Sequence, residues 1–155
     1  MKSQLIDVIL IGGGATGRAL ATEWLGNNLD VVVIDPVVCK PDDWVGEWIE
    51  GLGVVNGPEL VAILDPNSAD ERRLVHGRAI VIATGPYAAA RPSCKMLGIT
   101  KLGAEFTPDG ERIQVDSHGR TRARGIYAAG KCASSEASKI VEDVVRYSKL
   151  CSSTS

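Results

Sequence analysis

This chain of 155 residues lacks paired cysteines, long apolar runs and an excess of charge of either sign. Its four cysteines are widely scattered and include no Cys-x-x-Cys pair, which argues against disulfide exchange by a local dithiol. We expect reduced thiols in a reducing compartment, and a disulfide between distant cysteines is the alternative. With only two histidines to support such scattered cysteines, no metal site is predicted.

The absence of long apolar runs limits where the protein acts. No apolar stretch approaches the length of a membrane span. The first apolar run is broken by Asp7 and then by glycines, which argues against a signal peptide. The formal net charge of −2 gives no reason to expect nucleic acid or an anionic membrane as a partner. We therefore expect a cytoplasmic protein with neither partner.

The remaining composition is that of an ordinary globular protein. Hydrophobic residues make up 45% of the chain and charged residues 23%. This length is enough for one domain with its own core. We expect residues 1–150 to form a single domain and residues 151–155 to form a disordered tail.

The most informative feature is an apolar strand that runs directly into a glycine-rich turn. Val8–Ile11 precede Gly12, Gly14 and Gly17, which have the Gly-x-Gly-x-x-Gly spacing, and a helix-forming segment follows. These glycines allow a tight turn, the close approach of a diphosphate and close packing of helix on strand. The free N–H groups of the helix N-terminus then face the phosphates. This arrangement predicts adenine-dinucleotide binding, and a tight turn without a ligand is the alternative.

An acidic residue closes the second predicted strand. Asp35 follows the apolar run Val31–Ile34, about 20 residues after the glycines, where a carboxylate accepts hydrogen bonds from an adenosine ribose. The same spacing suits NAD as well as FAD.

Apolar runs and turn signals predict a three-layer α/β domain. The strands of a central parallel sheet are predicted near residues 6–11, 31–34, 79–83 and 125–128. Residues 60–64 and 73–76 flank a turn-rich segment, which predicts a hairpin or β-meander forming a small extra layer. A short helix or turn is expected between residues 97 and 106, and an isolated strand at 113–116.

Two further helices are predicted. Asp42 or Asp43 is a suitable cap for a helix that carries Trp44 and Trp48 on one side and stops at Gly53. The final helix is predicted to begin near Ser134 or Ser135. We expect the tryptophan helix, or an exposed face of the final helix around Val144 and Tyr147, to form a homodimer contact.

Three sequence blocks in this order resemble a known family. They are Ile11–Gly17 with Asp35, then Ile80–Gly85, and then Arg120-Thr121 with Gly125–Gly130. Together they resemble the flavin-binding domain of the thioredoxin reductase and pyridine nucleotide-disulfide oxidoreductase superfamily. The resemblance implies a Rossmann-like FAD/NAD(P)-binding domain with FAD as cofactor and NAD as the alternative.

The resemblance also implies a set of cofactor-binding residues. These are Gly12, Gly13, Gly14, Ala15, Thr16, Gly17, Asp35, Ala83, Thr84, Gly85, Gly130 and Lys131. The first glycines would receive the FAD diphosphate, and Asp35 would bind the adenosine ribose. The Ala83–Gly85 turn would pass close to the cofactor, and Gly130 would lie beside the flavin-side ribityl and diphosphate.

The chain departs from the family pattern in two ways. Lys131 stands where the family usually has an Asp that accepts a hydrogen bond from the ribityl chain, and a lysine has only donors. Only about 40 residues separate Gly85 from Gly125, too few for a second Rossmann unit. The chain is thus expected to lack a pyridine-nucleotide domain as well as the redox cysteine pair.

These observations predict a single-domain FAD-binding protein. The expected activity is that of a flavin-dependent oxidoreductase, or of a subunit that receives electrons from a redox partner protein. The alternatives are a non-catalytic dinucleotide-binding or sensor module, and the NAD(H)-binding domain of a disulfide-reductase-like protein. No residue is a convincing catalytic acid or base. Cys132 is the best candidate thiol, and its alternative is a small buried side chain.

Overall fold

The computed structural model describes residues 5–65, 67–68, 70–84, 98–108, 110, 112–136 and 138–153. The strands in this part of the chain are β1 (Ile6–Ile11), β2 (Val31–Asp35), β3 (Glu47–Glu50), β4 (Leu52–Gly57), β5 (Leu60–Leu64), β6 (Glu71–Ile82) and β7 (Ile126–Ala128). The helices are α1 (Ala15–Gly26) and α2 (Ile140–Ser153), with short 3-10 turns at Ile99–Leu102 and Gly130–Cys132.

The strands form one mixed sheet in the order β3-β2-β1-β6-β5-β4, and β7 pairs with β6. Strand β1 is parallel to β2 and β6, and β3 and β7 extend this parallel part on its two sides. Strands β4, β5 and the first half of β6 are antiparallel and form the meander. The predicted Rossmann-like fold, with a parallel sheet and a small meander layer, is confirmed.

The two faces of the central strands carry separate cores because successive side chains point to opposite sides. Ile9, Ile80 and Ile82 pack with the meander and with Ile99 and Ile113 on one face. Their neighbours pack against the two helices on the other face; this second core contains Val8, Leu10, Val33, Val81, Trp24 and Val144. Burial on both faces explains why these strands read as continuous apolar runs.

The predicted helix around Trp44 and Trp48 is wrong, because residues 47–50 form β3 and residues 52–57 form β4. Gly46 has a φ of +124°, which a continuing helix does not allow. A Cβ on Gly51 would lie 2.4 Å from Ile63 Cγ2, so the chain between the two strands passes tightly against β5. The tryptophan rings meet edge to face with centroids 5.4 Å apart.

The final helix begins at Ile140, later than predicted. Ser134 and Ser135 hydrogen-bond to Val115 instead of starting a helix: the Val115 N–H donates to Ser134 Oγ at 3.0 Å, and Ser135 Oγ donates to the Val115 carbonyl at 3.4 Å. Val144 is fully buried against the sheet instead of lying on an exposed helix face. The homodimer itself stays a prediction. The helix runs to Ser153 and so includes part of the predicted tail.

Helix α2 is fixed to the sheet by a buried carboxylate. Asp143 accepts hydrogen bonds from Arg120 Nε at 2.8 Å, from Arg120 Nη2 at 2.5 Å and from the Tyr127 hydroxyl at 2.8 Å. Burial raises the pKa of Tyr127, and its hydrogen bond to Asp143 raises it further. Among the described residues, no helix has the length and apolar character needed to cross a membrane.

Candidate dinucleotide site

The glycine loop lies at the point where the sheet order reverses. Strands β2 and β6 flank β1 on opposite sides, so the carboxyl end of β1 is the switch point at which open α/β sheets bind ligands. Gly12 has a φ of +117°, and a Cβ there would lie 2.2 Å from the Ala83 carbonyl oxygen. A Cβ on Gly17 would lie 2.1 Å from the Gly12 carbonyl oxygen. Only glycine therefore fits at these two positions.

Gly14 opens the N-terminus of α1 to a ligand. It is the N-cap residue, and it makes no side-chain capping bond. A Cβ built on Gly14 would have no atom within 4 Å, and the first turn contains no acidic residue. The N–H groups of a helix's first turn have no intrahelical partner and favour an anion. The geometry thus fits the diphosphate of a dinucleotide at Gly14, Ala15 and Thr16.

Asp35 lies beside this loop, as its position in the sequence suggests. Its Oδ2 accepts a hydrogen bond from the Gly13 N–H at 2.7 Å. Its Oδ1 accepts hydrogen bonds from the N–H groups of Val37 at 2.8 Å and Val38 at 2.6 Å. The carboxylate therefore holds together the glycine loop and the segment that follows β2.

A cleft of about 680 Å³ extends from the helix N-terminus to the segment after β7. Thr16 and Leu20 line its α1 side, and Gly130 and Lys131 line the opposite side. A Cβ on Gly130, whose φ is +78°, would lie 3.1 Å from Thr16 Cγ2. The structure thus brings the last glycine block against the first. Ala83 is buried at the end of β6, Thr84 is partly buried beside it, and Gly85 lies outside the described residues.

Arg112 lines the same cleft, and the sequence patterns did not point to it. It reaches the cleft because the next residue, Ile113, donates its N–H to the Cys132 carbonyl at 2.7 Å. No local motif signals this long-range pairing, and only the basic character of Arg112 was visible in the sequence. Arg112 and the exposed Lys131 bring two cations to this cleft, and Glu136 is the acidic residue of its described lining.

Cys132 is positioned as a buried side chain. It is 3% exposed, and its Sγ lies within hydrogen-bonding distance of two carbonyl oxygens, that of Ala129 at 3.2 Å and that of Ile82 at 3.4 Å. This geometry supports the packing alternative for Cys132, because the thiol points into the core. In the part of the chain that the structure describes, no group of three or more His, Cys, Asp or Glu residues is arranged to hold a metal ion.

A glycine loop at a switch point, next to an uncapped helix N-terminus, defines a nucleotide-binding domain of the Rossmann type. Residues 6–147 match the family model described as pyridine nucleotide-disulphide oxidoreductase, and the chain belongs to that family. No curated protein matches the chain in sequence.

Solved structures show the same fold. An oxidoreductase from Agrobacterium tumefaciens matches with a TM-score of 0.58 at 12% identity, covering 97% of this chain and 98% of that protein. A thioredoxin reductase from Gloeobacter violaceus gives a TM-score of 0.58 at 12% identity, with 98% and 97% covered. The structure named HlmI gives 0.63 at 12% identity, with 97% and 95% covered. At such identities the likeness concerns the fold.

Proposed function

We propose that this chain binds FAD and serves as the flavin-carrying part of an oxidoreductase. The observation that carries the proposal is that the open N-terminus of α1 at Gly14 lies two residues before Thr16, which lines the cleft beside Gly130. The diphosphate lies over Gly12–Gly17, and the flavin half extends toward Gly130. When bound, FAD supplies reversible acceptance of a hydride or of single electrons.

Lys131 and Arg112 supply the charge for the cofactor in this proposal. The Lys131 ammonium has three donors and no acceptor, so it favours an anion over the ribityl hydroxyl that an aspartate would bind. Both cations line the cleft and outnumber the one acidic residue of its described lining, Glu136, while Thr16 of the first turn of α1 lines the other side. They add to the positive end of the helix dipole, and the phosphates are then held from two sides.

A partner protein completes the reaction in this proposal. The chain has no Cys-x-x-Cys pair, and Cys132 points into the core. We therefore propose that electrons reach the flavin from a protein that supplies the pyridine-nucleotide site. Alternatively, the same loop binds NAD(H), because the diphosphate is common to both cofactors. The third candidate is a non-catalytic sensor module. Such a module would bind FAD but would show no catalytic turnover when a reductase is added.

Binding of FAD is tested by titration with flavin absorption and fluorescence. We expect a yellow complex with one FAD per chain. Colourless protein that binds NADH but not FAD would select the NAD alternative, and binding of neither would contradict the proposal. Oxidation of NAD(P)H by the FAD-loaded chain, alone or with a reductase, separates the enzyme from the sensor module.

Gly14→Leu is expected to block the cofactor and leave the fold intact. Its side chain would point into open space, so we expect a loss of stability of only about 1 kcal/mol from the poorer N-cap, but the side chain would occupy the place proposed for the diphosphate. We expect FAD affinity to fall by at least about 30-fold, or ~2 kcal/mol. Gly26→Leu is the matched control, because Gly26 ends the same helix and also faces open space. Native affinity in Gly14→Leu would show that the diphosphate lies elsewhere.

Lys131→Ala is expected to weaken FAD binding by about tenfold at low salt, because one partly screened cation near the phosphates is lost. The difference from the unmodified chain should shrink as ionic strength rises. Lys139→Ala, an exposed lysine outside the cleft lining, is the control. If Lys131→Ala and the unmodified chain bind FAD with equal affinity at every salt concentration, Lys131 does not contribute to cofactor binding.

A further inference from the structure

We propose that helix α2 docks against the same helix of a second copy of this chain, in antiparallel orientation about a twofold axis. The surface is a groove of about 580 Å³ along α2, which Asn27 at the end of α1 also lines. The groove and the cleft beside Gly130 are lined by different residues, so this inference does not depend on the proposed cofactor. The docking face consists of the six α2 residues in the groove: Val141, Glu142, Val145, Arg146, Lys149 and Leu150.

The docking face is the more exposed side of α2. Ile140, Asp143, Val144 and Ser148 are buried, and their helical spacing defines the side that faces the sheet. The docking face lies next to that side, and Leu150 at its end is 59% exposed. The candidate surface is therefore rotated around the helix from the position around Val144 that the sequence predicted.

The apolar part of the docking face is held in place from below. Val141 and Val145 are partly buried, because they pack against the second core. The fully buried Trp24 donates its Nε1–H to the Val141 carbonyl at 3.3 Å, which ties the start of α2 to α1. The face thus presents apolar atoms at fixed positions with charged groups around them, the arrangement of core and rim in protein interfaces.

The charges of the docking face have no partners within the protomer. In the part of the chain that the structure describes, Glu142, Arg146 and Lys149 take part in none of the ion pairs. All three side chains belong to exposed residues. A complementary surface therefore has to place a cation opposite Glu142 and an anion opposite Lys149, with apolar side chains beside them.

The same face supplies this complement when its direction is reversed. Rotating a second helix by 180° about the middle of the face brings Glu142 opposite Lys149 of the second copy, and Val141 opposite its Leu150. Each pair then occurs twice, because a twofold contact uses the same patch on both subunits. A parallel arrangement would instead oppose Glu142 to Glu142 and Lys149 to Lys149, which like-charge repulsion disfavours. The order of charges along α2 thus specifies the antiparallel orientation.

The centre of the contact is compatible with this orientation. Val145 lies opposite Arg146 of the second copy, whose aliphatic stem covers the valine while its guanidinium stays in water. Such a contact between two short helix faces lies below the area of about 1,200 Å² that stable complexes bury, so the association is weak. We expect mainly monomer at about 10 μM and mainly dimer at about 1 mM, the concentration range of weak contacts.

Sedimentation equilibrium of the full chain over this concentration range tests the association. We expect the average mass to rise from that of one chain to that of two. A single species with the mass of one chain at every concentration would overturn the proposal.

Reversing one charge at a time tests the face. Glu142→Lys opposes two lysines and Lys149→Glu opposes two glutamates, so each variant alone should associate at least about tenfold more weakly. Glu50→Lys and Lys101→Glu are the matched controls, because they make the same charge changes at exposed positions outside the groove. Loss of association in the controls to the same extent would show that net charge, and not this face, controls the dimer.

Mixing the two variants tests the antiparallel pairing. When Glu142→Lys and Lys149→Glu chains are combined, each lysine of one chain lies opposite a glutamate of the other. We therefore expect a mixed dimer with at least the affinity of the unmodified chain, and this recovery cannot come from chains that have failed to fold. A mixture that stays monomeric under conditions in which the unmodified chain is dimeric would overturn the proposed pairing.

Discussion

Gly17→Ala is expected to lower the free energy of unfolding by about 4 kcal/mol, which is beyond ordinary overpacking. A Cβ at this position would lie 2.1 Å from the Gly12 carbonyl oxygen, and Gly12 cannot yield because its own Cα lies against Ala83. Helix α1 would have to move away from β1, opening the core around Leu10 and Trp24. Urea denaturation followed by circular dichroism measures the loss.

The control is the same change at the other end of the same helix. Gly26→Ala meets no atom within 4 Å, and alanine has the better helix propensity, so it should stabilise the protein by about 0.5–1 kcal/mol. If both variants unfold at the same urea concentration, the close approach of Gly17 to Gly12 does not limit the fold.

Asp143→Ala is expected to destabilise the protein by about 3 kcal/mol, near the lower end for breaking a buried ion pair. The variant leaves the buried Tyr127 hydroxyl without its acceptor, while the half-exposed Arg120 regains water. Glu142→Ala, on the exposed side of the same helix, should change stability by less than about 0.5 kcal/mol. Equal losses in the two variants would show that the carboxylate does not hold α2.

The same carboxylate gives a pH dependence with a definite sign. Burial alone would raise the pKa of Asp143, but the hydrogen bonds from Arg120 and Tyr127 outweigh it and lower the pKa below 3.8. Because the pKa of Asp143 is lower in the folded state, its ionised carboxylate stabilises the protein at pH values above the unfolded-state pKa. This stabilisation is lost as the pH falls through the folded-state pKa. Asp143→Asn should therefore lose stability less steeply than the unmodified chain below about pH 4.

The central strands could be predicted from sequence because their patterns have only one good structural solution. Runs such as Val8–Ile11 and Ile80–Ala83 are buried on both faces, and short apolar runs of this kind next to turn-forming glycines are typical of strands in a covered parallel sheet. The glycine spacing likewise specified the turn, since Gly12 and Gly17 face backbone atoms that exclude any side chain.

The segment after β2 could not be predicted because its signals conflict. Trp48, Ile49 and Leu52 have helical spacing, but their hydrogen bonds and burial come from strands distant in sequence. The hydrogen-bond donors to Asp35 could not be predicted for a similar reason. A sequence places a carboxylate near a loop, but it does not show that the N–H groups of Gly13, Val37 and Val38 donate to it.

The continuity of strand β6 affects how the fold can unfold locally. Its first half pairs with β5 in the meander, and its second half, from Gly77 to Ile82, pairs with β1 beside the glycine loop. One continuous strand therefore belongs to both halves of the molecule. Because β6 is continuous from Glu71 to Ile82, local opening of the meander strains the strand that ends beside the glycine loop. We expect the described sheet to behave as a single cooperative unit, so that any ligand bound beside the glycine loop would slow amide exchange as far away as β5.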